Sequence, residues 1–272
     1  MNWRALIHFQ LPTMTQVWND SFEDYVIPIE LTEDELQQRI TYLNLSDKAS
    51  FIAEVGDQQA GIVLYGEELF QGHQTAWIGG MGVIKPFRQH GVGKAMVQKT
   101  IEMAKQDGIS TLHLEVIVGN VEAEKLYHSS GFVEVNRTTV GQVEMTNAFK
   151  NTINLQLEDA VITSKHQQLE STNTIWQNRL NRKNQLKRVT VDAKEIGYFY
   201  WNEDKKQLHQ LQLINYDTAI FDGILSKLYE LYGEFSFSIS NLDIEHPLIN
   251  FLKVHGYQEK LQQRHMCMEF KV

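Results

Sequence analysis

The sequence predicts an α+β fold in which helices are set among mostly antiparallel strands. Three observations predict it. Residues 50–55, 59–65 and 75–83 read as three strands of an antiparallel meander. A strand-to-helix turn with two glycines follows, and residues 94–105 carry Ala95, Met96, Val97, Ile101, Met103 and Ala104 as one amphipathic helix. The order strand, strand, helix, strand, helix, Gly-aromatic, strand then recurs in the second half.

From the start of the chain, residues 4–9 read as a first strand and 11–22 as a helix, with Pro12 near its start, where proline is tolerated. Thr32-x-x-Glu35 is a capping-box pattern that opens a helix over 33–43. After the meander and its helix, the branched run 112–118 is a strand, and Gly119-Asn120 ends it. Ala123, Leu126 and Tyr127 share one face of a helix over 122–130. Gly131 ends that helix and residues 132–135 begin another strand. Residues 152–157 are expected to close this first sheet. A polar helix is expected within 164–187, anchored by Ile175, Trp176 and Leu180. Strands over 187–191, 195–201 and 208–214, a helix over 218–232, a strand over 235–239, a short helix over 246–255 and a last strand over 264–270 complete the chain. The domain boundary implied is 1–158 and 159–272.

Composition bounds the function. A net charge of −9 argues against a nucleic-acid binder, which needs a basic face to release counterions. The single cysteine, Cys267, permits no intrachain disulfide and fits a reducing compartment. No signal-peptide pattern and no bilayer-length apolar run are present, so a cytoplasmic protein with no membrane association is expected. No H-E-x-x-H, cysteine cluster or calcium loop occurs, so no metal is expected.

The glycine turn is the chemical signal. A helix N-terminus offers unpaired N–H groups and partial positive charge, and glycines let a phosphate approach. The loop is not a Walker A, for no Gly-Lys-Ser/Thr follows a four-residue gap. Nor is it a dinucleotide fingerprint, which needs a third glycine. Arg88-x-x-Gly91-x-Gly93 matches the pattern Arg/Gln-x-x-Gly-x-Gly/Ala. A second block, L-x-L-x-V followed by N-x-x-A-x-x-L-Y-x-x-x-G-F, spans residues 112–132. Together the two blocks resemble the acetyl-coenzyme A site of the GNAT N-acetyltransferase superfamily, closely over about 60–135. A plain strand-to-helix turn would account for the glycines alone.

The resemblance implies two GNAT-like domains, each a mostly antiparallel mixed sheet flanked by helices. It implies that Gln89, His90, Gly91, Val92, Gly93 and Lys94 hold the pyrophosphate through their backbone, with Arg88 adding charge. Met81 and Val83 pair with the pantetheine arm, and Asn120 contacts the pantetheine region. Asn120 is equally a helix N-cap. Gly79, Gly80 and Gly82 fit a bulge or a close approach. Tyr127 matches the tyrosine that protonates the leaving thiolate; a phenol, with a pKa of about 10, is protonated at neutral pH. A core tyrosine on an amphipathic helix is the other reading. The family's glutamate on the strand 77–83 has no counterpart, and Asp24, Glu67, Glu68 and Glu115 are the carboxylates open as general base.

The activity implied is transfer from acetyl-CoA to a primary amine of a small molecule or peptide, the substrate side falling on 22–43 and 67–74. A non-catalytic acyl-CoA sensor and a longer-chain acyltransferase are the alternatives. If Gly256-Tyr257 corresponds to Gly131-Phe132, Leu252 stands for Tyr127 and Glu245 for Asn120. Asn215-Tyr216-Asp217-Thr218 then replaces the glycine loop. The second unit is expected to bind no cofactor and to pack on the first, shape its cleft or form a homodimer contact.

Overall fold

A computed structural model describes residues 1–270 except 28, 148, 165, 167–169, 171–173 and 180–184. Two compact units form, residues 1–135 with 265–272, and residues 136–264.

The first unit opens with β1 (Asn2–Ala5), then α1 (Leu11–Phe22) and α2 (Glu33–Tyr42). The expected strand over 4–9 is shorter, because a 3-10 turn takes Leu6–His8. α2 begins at the capping box: the Glu35 N–H donates to Thr32 Oγ1 at 3.3 Å and the Thr32 N–H to Glu35 Oε2 at 2.8 Å. Then come β2 (Phe51–Val55), β3 (Gln58–Phe70), β4 (His73–Val83), α3 (Val92–Gln106), β5 (Thr111–Ile117) and α4 (Val121–Ser129). The strands run in the order β1-β2-β3-β4-β5. All pairs are antiparallel except β4 with β5, which α3 joins as a crossover.

Alternation along β4 and β5 sends alternate residues to two layers of helix. Ala76, Ile78, Leu112, Leu114 and Val116 meet Met96, Val97 and Ile101 of α3 and Tyr127 of α4 in one core. On the other face a Cβ at Gly80 would lie 2.6 Å from the Trp18 ring, and one at Gly82 2.7 Å from Ser21 Cβ. Only glycine lets α1 sit this low on the strand. The β3–β4 register shifts at Leu64/Tyr65, so β4 is also bulged there.

The second unit holds β6 (Val133–Met145) from Asn136 onward, β7 (Leu155–Ala160), β8 (Leu186–Val191), β9 (Lys194–Asn202), β10 (Gln207–Leu213), α5 (Thr218–Tyr232), β11 (Phe235–Asp243), α6 (Pro247–Lys253) and the first part of β12 (Gln258–Glu269). Its order is β6-β11-β10-β9-β8-β7, with β10 and β11 as the parallel pair that α5 joins. Phe199, Trp201, Phe221, Phe237 and Ile249 are at its core. The helix expected within 164–187 falls partly on residues outside the described ones, Leu180 among them. Within that range Trp176–Asn178 is a 3-10 turn.

Two expectations change here. β7 does not close the first sheet; it pairs with β8, from Leu155↔Val191 to Ala160↔Leu186. The last strand of each repeat is exchanged. β6 lies antiparallel to β11 in the second unit, and the end of β12 belongs to the first. There Met266 joins the core and the Phe270 N–H donates to the Ser110 carbonyl at 2.9 Å. The compact units therefore divide at 135/136 and again at 264/265, where the sequence suggested a single boundary at 158/159. Alternation assigns a strand its faces but not its neighbours.

Among the described residues no helix is long and apolar enough to cross a membrane.

Candidate active site

The site in the first unit forms where β4 and β5 part. Their parallel register ends at Ile78↔Leu114, yet β4 continues to Val83 and β5 to Ile117. The Ile84 N–H donates to the Ala60 carbonyl on β3, so by alternation Gly82 also turns its backbone to β3. The backbone groups of Met81 and Val83 then face the side that β5 has left. Their side chains pack against the α3–α4 core.

The loop after β4 turns through two left-handed residues, Gln89 at φ 63° and Gly91 at φ 80°. A non-glycine residue there costs roughly 1–2 kcal/mol, so Gln89 stores strain beside the helix start. Gly91 is the N-cap of α3, and no side chain caps the helix. The N–H groups of Val92, Gly93 and Lys94 have no intrahelical acceptor, as in the first turn of any helix. Gln89, His90, Gly91 and Lys94 are exposed, Gly93 is half-buried and Val92 is buried. The second glycine has a milder reason than the first. A Cβ at Gly93 would meet Leu126 and Val83 at 3.4 and 3.5 Å, ordinary contact distances.

Arg88 departs from its expected position. Its Nε donates to the Val83 carbonyl at 2.8 Å, Nη2 to the Ser21 carbonyl at 3.1 Å and Nη1 to Asp24 at 2.6 Å. It ties the end of α1 to the end of β4, and it takes the Val83 carbonyl that a pantetheine was expected to meet. Its hydrogen bond, together with Lys85, holds the Asp24 carboxyl below its ordinary range. Asp24 is thus an ion-pair partner and not an available base.

Tyr127 is buried, with its ring 5.9 Å from Phe132 in a T-shaped contact. Burial, with Tyr25 adding to it, raises its phenol well above the ordinary value. It stays protonated throughout the physiological range, which makes it a hydrogen-bond donor first and an acid second. Asn120 caps α4, accepting from the Ala123 N–H at 3.3 Å, and its side chain also bonds the Tyr25 hydroxyl. Burial raises Tyr25 too, the Asn120 bond opposing it.

Tyr25 is the residue that sequence reasoning missed. It lies in the irregular segment after α1, which α1 itself holds in place. Trp18 Nε1 donates to the Ile29 carbonyl at 3.0 Å, and Asn19 exchanges two 2.9 Å bonds with Leu31. No sequence spacing links residue 25 to residues 120 and 127.

Among the remaining carboxylates, Glu67 and Glu68 pair with Ala76 and Thr75. That is the hairpin end of β3 and β4, roughly 15 Å along the strand from Met81. The segment 67–74 is therefore strand and turn remote from the loop. Burial, with Asp107 second, raises Glu67, but its position removes it from the chemistry. Glu115 is the next residue after the last β4–β5 pair. It alternates with Leu114 and Val116 and so faces α1 and α2, where it interacts with the charge of Arg39. Arg39 donates to the Gly79 carbonyl at 2.7 Å and stacks 5.4 Å from Trp18. Burial lowers its pKa, with Glu115 opposing the shift.

In the second unit the equivalent helix start and strand gap each carry a side-chain partner. The Asp217 side chain caps α5, accepting from the Ala219 N–H at 2.8 Å. β10 and β11 part after Leu208↔Ile239. Asn178 spans that gap, its amide nitrogen 2.8, 2.9 and 3.0 Å from the carbonyls of His209, Ser240 and Asn241.

Residues 3–132 match the model of the acetyltransferase (GNAT) family. N-alpha-acetyltransferase 30 of Dictyostelium discoideum is 27% identical over 96 residues, 35% of this chain. The chain spans about half, 52%, of that relative's length. A putative acetyltransferase from Pyrococcus horikoshii superposes with a TM-score of 0.67 at 15% identity, covering 100% of this chain and 90% of its own. A tandem GNAT protein from the clavulanic acid biosynthesis pathway superposes at 0.64 and 12% identity, covering 95% and 94%. Over residues 3–132 the chain is similar to the acetyltransferase (GNAT) family, and it has the fold of two GNAT-like domains.

Proposed function

We propose that the first unit is an N-acetyltransferase that moves an acetyl group from acetyl-CoA to a primary amine. The observation that carries this reading is one conjunction. An uncapped helix N-terminus behind left-handed Gly91 adjoins the strand edge of Met81 and Val83, which β5 does not cover. These features fit a nucleotide-tailed thioester. The N–H groups of residues 89–94 would hold its pyrophosphate, and the Met81 backbone with the Val83 N–H its pantetheine, the Val83 carbonyl being held by Arg88. Bound acetyl-CoA supplies an activated thioester carbonyl.

Tyr127, kept protonated by burial, donates a hydrogen bond where thiolate charge develops. Tyr25 and Asn120 hold their places beside it. Glu115, on the α1–α2 face, receives the proton of the attacking amine. Arg88 acts by clamping α1 to β4 rather than by meeting phosphate. The second unit holds no coenzyme A. The Asp217 carboxylate would repel a pyrophosphate, and Asn178 takes the carbonyls that a pantetheine would need.

The first substrates to try are peptides with a free α-amine, because the Dictyostelium relative is named for that group. Amino acids, aminoglycosides and simple amines complete the panel. Calorimetry of the intact chain is expected to give one acetyl-CoA site, and thiol release to depend on the amine. Glu115→Gln is expected to lower kcat about ten-fold or more with acetyl-CoA affinity unchanged. Absence of acetyl-CoA binding overturns the reading. Binding with no acceptor in the panel favours an acyl-CoA sensor, and longer acyl-CoA thioesters test chain length.

A further inference from the structure

The second unit contains a cleft of about 290 Å³ where β10 and β11 part, beside the Asn178 bridge. Its described lining includes Thr138, His209, Gln210, Asn241, Asp243 and Glu245, and neither lysine nor arginine. Gln210 is 4% exposed, and its amide nitrogen donates to Glu170 Oε1 at 2.9 Å. That bond to a carboxylate dictates which way the amide faces. Its Oε1 is left buried with no hydrogen-bond partner. Thr138, 2% exposed, has its Oγ1 in the same state. A buried polar atom without a partner costs about 1–3 kcal/mol, and two of them line one cavity.

Asp243 adds charge. One oxygen accepts from the Glu245 N–H at 2.8 Å and the other from Asn136 at 3.4 Å, which leaves a carboxylate further lone pairs. Glu245 is exposed at the rim. His246 brings no competing cation. Its Nε2 donates to the Leu211 carbonyl and its Nδ1 accepts from the Leu248 N–H, and burial lowers its pKa. The orphaned Gln210 oxygen, the Thr138 hydroxyl and the carboxylate ask for a ligand rich in N–H donors and positively charged.

We propose that this cleft binds a small ammonium compound, whose N–H groups meet Gln210 Oε1, Thr138 Oγ1 and the Asp243 carboxylate. The site is separate from the acetyl-CoA reading and needs no acetyl-CoA.

Ligand-observed NMR on the intact chain without acetyl-CoA tests it. Ethanolamine, putrescine and glucosamine are the probes, with acetate and phosphate as counter-probes. At least one ammonium probe is expected to saturate, and neither anion. Asp243→Asn is expected to weaken that binding about ten-fold or more, and Thr138→Val several-fold. Glu245→Gln, on the exposed rim, gives a third reading that does not risk the fold and is expected to weaken binding about two- to five-fold. Acetyl-CoA affinity is expected to remain unchanged in all three. The proposal is overturned if no ammonium probe saturates, if an anion binds instead, or if the variants that fold bind the probe as the parent chain does.

Discussion

α3 and α5 occupy the same place in their units. Each follows the third strand of a meander and carries the chain across to a parallel neighbour. Their first residues differ. α3 starts behind Gly91, with no capping side chain, while α5 starts behind Asp217, whose carboxylate bonds the Ala219 N–H. An aspartate cap is the more stable start, by only about a few tenths of a kcal/mol over a glycine one. The first unit therefore forgoes local stability where an anion can replace the cap, and the second keeps it. The strand gaps repeat the contrast. β4 and β5 part with Arg88 on the Val83 carbonyl of the β4 edge, whereas Asn178 stitches β10 to β11 with one amide shared among three carbonyls. The two units share a framework, and side-chain chemistry at two places sets the candidate active unit apart from the other.

The sharpest way to break this comparison is Tyr127→Phe. It is expected to lower kcat about a hundred-fold or more while acetyl-CoA titrates normally, since only the hydroxyl is lost. Unchanged kcat would leave Tyr127 a core residue like its counterpart Leu252. Asn178→Ala tests the second unit. Losing the amide leaves three carbonyls short of a donor and is expected to cost about 1–3 kcal/mol in urea unfolding. If the comparison holds, it creates no second acetyl-CoA site in calorimetry.

The glycine pair comes next. Gly91→Val forces a branched residue into φ 80° and places methyls over the amide cradle. A strain of roughly 1–2 kcal/mol predicts about a ten-fold loss of acetyl-CoA affinity. Gly93→Ala, with ordinary contacts at 3.4 and 3.5 Å, is expected to bind as before. Equal losses at both positions would mean that the loop's shape, and not Gly91 alone, sets the cradle. Smallest is Asp217→Ala, expected to cost about 1 kcal/mol of stability by chemical denaturation, with no change in acetyl-CoA binding.

Much of this was legible because it is local. α1 and α5 match their expected spans, Thr32 and Glu35 form their capping box, and Gly91 and Gly131 take the positive φ angles that a loop and a helix end require. The polar start of β12, residues 258–263, carried no comparable signal, because its side chains are exposed or half-buried and show no apolar alternation. The site was half legible. The loop, Met81, Val83 and Tyr127 come from short patterns that one strand and one helix decide. Arg88 reads as a phosphate ligand in sequence, yet Asp24, 64 residues away, claims it in the fold.

By itself the sequence determined the elements, their caps and turns, the α+β class and the glycine loop, since each depends on residues within a few positions of one another. Only the tertiary structure decided which strand lies beside which, the exchange of β6 and β12, the company of Tyr25 with Asn120 and Tyr127, and the plugging of one strand gap by Asn178. These rest on contacts between distant segments, where many pairings satisfy the same alternation and the packing of the whole chain selects among them.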